Sequence, residues 1–169
     1  MKSKSALSVL MAASVAALGV FAPVSATAVG PEDYPSMAER VAQVVAEHGG
    51  EQTGWNQVSW DGGDTVLTLA PTAGPTAGPT ATIAPLAAAT CTAGKYCVYS
   101  QITYGGNELA FTACPATQTS FGVIGSVRSI KNARTSSTVR AYAGTTVRAT
   151  LSPGAGSANV SGVTKVTCG

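Results

Sequence analysis

From Cys91 to its end the sequence contains no histidine and no aspartate, and its single acid there is Glu108. General acid–base catalysis needs a positioned titratable group, usually with a titratable partner. One carboxylate does not furnish both, and the abundant serines and threonines have no base beside them. The one histidine of the chain, His48, falls at the end of a predicted helix, where it reads as a charge on the helix C-terminus. The sequence therefore reads as a protein without enzymatic activity and without a cofactor. Metal binding is excluded by the same shortage. Zinc would need all four thiolates, and "CTAGKYC" is more widely spaced than the C-x₂₋₄-C typical of zinc ligands. There is no C-x-x-C redox pair. An uninterrupted apolar run of about 20 residues, the length a membrane span needs, is also missing.

The nearest approach to such a run lies at the start. Lys2 and Lys4 precede apolar residues from Ala6 to Phe21, broken by Ser8, Ser14 and Gly19, and Ala26-Thr27-Ala28 follows. That layout predicts a secretory signal peptide over residues 1–28, and hence a secreted, extracellular protein. All four cysteines, Cys91, Cys97, Cys114 and Cys168, come after it. An even count in a short exported chain reads as two disulfides, with three connectivities open.

Charge divides the chain. Between Val29 and Thr90, seven acids stand against Arg40, a balance of −6; from Cys91 on, seven bases stand against Glu108, a balance of +6. Segments of opposite sign attract at low salt, so the acidic leader is expected to dock on the basic domain. The bases are scattered rather than clustered, and no nucleic-acid partner is read from them.

The leader, 29–70, reads as a helix and a hairpin. Ser36 and Glu39 have the spacing of a capping box. Val41, Val44 and Val45 share a helical face, and Gly49-Gly50 ends the helix. "WNQVSW" and "TVLTL" flank "DGGD", the pattern of two strands about a turn. Residues 71–90 contain "PTAGPTAGPTATIAP", a low-complexity spacer, and "LAAAT" before Cys91 offers a cleavage site. Residues 91–169 show short strands between Gly, Ser and Asn turns, the pattern of a small all-β sandwich. Val147, Ala149 and Leu151 alternate there with Thr146, Arg148 and Thr150.

"YSQITYGG" places Tyr99, Tyr104 and Gly106 in a Y-x₄-Y-x-G pattern. This resembles the signature of the βγ-crystallin Greek key, in which two aromatics brace a folded hairpin and the glycine takes a conformation closed to other residues. "GSVRSIKNARTSSTVRAYAG" resembles the later crystallin segment, with Ser126 as the serine that caps the hairpin and Tyr142 as the aromatic that opens the next motif. The calcium positions of that fold would fall on "FGVIGS", Phe121 to Ser126, which has no carboxylate.

"CTAGKYCVYS" narrows the resemblance to the actinobacterial family of secreted metalloproteinase inhibitors, single βγ-crystallin-like domains. Precursors in this broader group carry an acidic leader with a similar W-D-G-G hairpin. The resemblance implies a monomeric peptidase inhibitor with a secreted protease as partner. It implies a Cys91–Cys97 bond before the first Greek-key tyrosine, and with it Cys114–Cys168. It also implies a protease-binding loop over Ala143, Gly144, Thr145, Thr146, Val147 and Arg148, with Val147 as anchor. The second local disulfide that pins this loop in the family is missing, so the loop is expected to be unpinned and inhibition weak. A structural or envelope-interaction protein of the same fold, or a basic antimicrobial module, are the alternatives.

Overall fold

The capping box forms as predicted. Ser36 N–H donates to Glu39 Oε2 (2.7 Å) and Glu39 N–H to Ser36 Oγ (3.3 Å), starting helix α1, Met37–His48. The computed structural model that shows this describes residues 35–72 and 90–169. The predicted signal peptide 1–28, the first residues of the leader and residues 73–89 of the spacer lie outside the described residues. No helix among the described residues is long and apolar enough to cross a membrane.

Among the described residues eleven strands follow in chain order, from β1 to β11. They are β1 (Glu51–Gly54), β2 (Gln57–Trp60), β3 (Thr65–Thr68), β4 (Tyr96–Tyr99), β5 (Glu108–Phe111) and β6 (Ala116–Gln118), then β7 (Ser129–Asn132), β8 (Val139–Ala143), β9 (Thr146–Leu151), β10 (Gly156–Ser157) and β11 (Lys165–Cys168). They make two antiparallel sheets, so the described residues are all-β apart from one short α-helix. The larger sheet has seven strands in the order β1-β2-β3-β5-β4-β7-β10, and the smaller has four in the order β6-β11-β8-β9.

Alternation along the strands puts one face of each sheet into a shared core. Tyr96 and Val98 of β4, Leu109 and Phe111 of β5 and Ile130 of β7 face Val139, Ala141, Leu151 and Val166 of the smaller sheet. Tyr96 stacks on Phe111 at 5.1 Å between ring centroids. Between the sheets, Cys114 of the β5–β6 connection is bonded to Cys168 of β11, and Cys91 is bonded to Cys97 on the opposite face of β4.

The leader differs from its sequence reading in two respects. It has three strands, because the expected run "WNQVSW" begins as a turn: Trp55 is 67% exposed between β1 and β2, and pairing starts at Gln57. The leader is also no separate hairpin. β3 pairs with β5 over Thr65↔Phe111 to Thr68↔Glu108, so the leader continues the larger sheet. Val41, Val58, Leu67 and Leu69 join the same core as Leu109 and Phe111.

Candidate functional site

The segment from Ala143 to Arg148 is the turn and return strand of the β8–β9 hairpin. Its turn is Gly144-Thr145, with Ala143 opposite Thr146. Gly144 stands at the first central position with φ 58, which a Cβ would disfavour and which a tight hairpin of this kind requires. β9 is an edge strand of the smaller sheet.

No disulfide crosses this hairpin among the described residues, as expected, and hydrogen bonds tie it instead. Gly144 N–H donates to Thr164 Oγ1 (2.9 Å), and Thr164 N–H donates to the Tyr142 carbonyl (2.8 Å). At the other end of β9, the buried Asn132 Nδ2 donates to the Leu151 carbonyl (3.1 Å). Hydrogen bonds and strand pairing hold both ends of the hairpin where a disulfide was expected to be needed. Neither Thr164 nor Asn132 carries a motif; only the placement of β11 and β7 beside the hairpin reveals them.

The simple alternation expected along β9 is corrected. The register runs Val139↔Leu151, Arg140↔Thr150, Ala141↔Ala149, then Tyr142↔Val147, leaving Arg148 as the unpaired residue of a β-bulge. A bulge inserts one residue and re-aims the side chains beyond it. Leu151 stays in the core, but Val147 is turned out of it and is 50% exposed. It lies directly opposite Tyr142, which in turn lies opposite Lys165 of β11. Lys165 Nζ sits 4.4 Å from the centroid of the Tyr142 ring, a cation–π contact. The outer face of this sheet thus carries a row of Lys165, Tyr142 and Val147, with Arg140 and Arg148 exposed beside it. An apolar centre with a basic rim can seat an aliphatic anchor in a pocket and meet an acidic surface around it.

The other predicted residues build the scaffold. Tyr99 and Tyr104 meet edge to face at 5.6 Å between ring centroids, and Gly106 follows with φ 76, where an added Cβ would collide with Ser100 Oγ. Ser126 does not cap this hairpin. It is exposed, in the turn that precedes β7. The buried Ser129, three residues on, does the capping: its Oγ donates to the Gln101 carbonyl (2.7 Å) and accepts Tyr104 N–H (2.9 Å). Serine can do this from the first position of β7 because that residue faces the folded hairpin rather than the core.

A concavity of about 600 Å³ lies between leader and domain, with His48, Trp60 and Asp61 on one wall and Phe111, Gln118 and Phe121 on the other. Among the described residues no group of three or more His, Cys, Asp or Glu could hold a metal ion.

Residues 84–151 match the model of peptidase inhibitor family I36. The family resemblance read from the cysteines and tyrosines is borne out by that match. The I36 segment contains the Cys91–Cys97 bond, the Tyr99–Gly106 hairpin and the whole of β8 and β9, and it ends on Leu151, where Asn132 clamps the strand. It supports a peptidase-inhibitor role, and an inhibitor of peptidases implies a protease as partner. The disulfides fit a secreted protein. No curated protein and no solved structure matches the chain.

Proposed function

We propose that the protein is a secreted inhibitor of metalloproteinases, built on a βγ-crystallin-like domain, and that it acts by occlusion through the β8–β9 hairpin. The observation that carries this reading is Val147: an aliphatic side chain, 50% exposed, on a hairpin hydrogen-bonded at both ends within the I36 segment. Val147 enters an apolar specificity pocket of the protease. Tyr142 widens the apolar contact, and Arg140, Arg148 and Lys165 meet acidic groups around the cleft. The only acid of residues 91–169, Glu108, is buried in the other sheet, so no carboxylate of this domain opposes such a surface.

Rigidity supports inhibition in place of rapid cleavage. Ordering a mobile loop costs about 0.5–1.5 kcal/mol per immobilised side chain. A hairpin already held by Thr164 and Asn132 avoids most of that cost, so inhibition should be stronger than the missing disulfide alone would imply.

The test is a titration of the protein against thermolysin-like metalloproteinases, with serine and cysteine proteases as comparison. Saturable inhibition confined to the metalloproteinases is expected. Inhibition of no protease would favour a structural role for the same fold.

A further inference from the structure

The leader occupies the β5 edge of the domain through contacts of a kind that outlast a cut in the chain. β3 pairs with β5 at four positions, Thr65↔Phe111, Val66↔Ala110, Leu67↔Leu109 and Thr68↔Glu108. Two further links extend the seam: Thr112 N–H donates to the Asp64 carbonyl (2.8 Å), and Ala70 N–H donates to Asn107 Oδ1 (3.0 Å). Leu67 is fully buried opposite Leu109, and Val41, Val58 and Leu69 are buried in the same core. None of this is ionic. Among the described residues, the one acid–base side-chain contact within 4 Å is His48 with Glu47, inside the leader. Among the described residues, then, no ion pair joins the leader to the domain.

Without the leader, β5 would be the edge strand of the larger sheet, with four residues' worth of ladder unpaired and Leu109 and Phe111 beside open water. An edge of that kind is a strand-acceptor site. The leader also sits on the flank away from the hairpin. It extends the larger sheet beyond β5, whereas β9 lies beside β10, the strand at the opposite end of that sheet. So a seated leader leaves Val147 free.

We propose that residues 37–69 are a strand-donating partner of residues 90–169: after a cut within 73–89 they remain seated on the β5 edge, in a one-to-one complex that does not depend on charge attraction. The leader covers the domain's open edge and does not silence the hairpin.

The experiment places a specific protease site within residues 73–89 of the full chain, cuts the folded protein, and passes it over size-exclusion and native mass spectrometry at low salt and at 1 M NaCl. Co-elution of the two pieces at both salts is expected, with free leader appearing only on denaturation. Leu67→Asp should release the leader from the cut protein, because it puts a carboxylate opposite Leu109. Trp55→Ala, at an exposed turn, should not. Free leader in native buffer, release by 1 M NaCl alone, or retention in the cut Leu67→Asp protein would each overturn the proposal.

Discussion

Glu108 lies on the interior strand β5, opposite both Tyr99 and Thr68, and is 7% exposed. Burial raises its pKa above the ordinary value of 4.5, and Tyr99 and the Lys95 charge offset this only in part. The Tyr99 hydroxyl is pushed above its usual range by burial first and then by the Glu108 charge. A carboxyl whose pKa is raised on folding favours the folded state most below its unfolded value, and that contribution is lost as the pH rises through the folded value. Glu108→Gln should therefore flatten the pH dependence: equal melting temperature to the parent at pH 4 and a higher one at pH 8. Thermal unfolding at the two pH values checks this, and a variant less stable at pH 8 would contradict it. Gly106 has the opposite sensitivity. At φ 76, with Ser100 Oγ in the way of a Cβ, Gly106→Ala should cost about 1–3 kcal/mol in denaturant unfolding. Tyr99, Tyr104 and Gly106 were legible because their motif is local. Ser129 was not, since its partners Gln101 and Tyr104 are brought to it by pairing of β4 with β7, and a nearby serine, Ser126, fitted the sequence pattern as well.

At the level of elements, the strands were readable where alternation is regular and unreadable where contacts decide. The short β6 and β10 have no periodic signal and exist because β11 and β7 offer edges to them. The bulge at Arg148 leaves no mark in the sequence, yet it determines which way Val147 points. The two disulfides differ in what they constrain. Cys114–Cys168 spans 54 positions and joins the crossover between sheets to the last strand, whereas Cys91–Cys97 spans 6. In the chain-entropy account, the first contributes about 4 kcal/mol and the second about 2 kcal/mol. Replacing Cys114 and Cys168 by alanine should lower stability about 2 kcal/mol more than replacing Cys91 and Cys97, as read from urea midpoints at constant m-value. Equal losses would show that native contacts, not loop closure, set the difference.

At the scale of the molecule, the leader and the hairpin occupy separate flanks of the described fold. The leader closes one edge of the larger sheet with apolar residues, and the hairpin stands on the other flank, rimmed by Arg140, Arg148 and Lys165. The charge division suggested an ionic association between leader and domain. The seam is instead built from strand pairing and a shared core, which no composition count displays. The consequence is that the full chain and the chain cut within 73–89 should inhibit a protease equally well. A large gain on cutting would mean that the leader masks the hairpin.

The central claim is that Val147 on the β8–β9 hairpin is the anchor that enters the protease. The most direct measurement is inhibition of a thermolysin-like metalloproteinase by the full chain and by Val147→Asp, with the melting temperature of both recorded. A carboxylate forced into an apolar pocket costs about 3 kcal/mol or more, roughly two powers of ten in affinity. The account predicts inhibition by the parent protein and at least a hundredfold weakening in Val147→Asp at an unchanged melting temperature, since residue 147 is half exposed in the free protein. Equal inhibition by both proteins would contradict it.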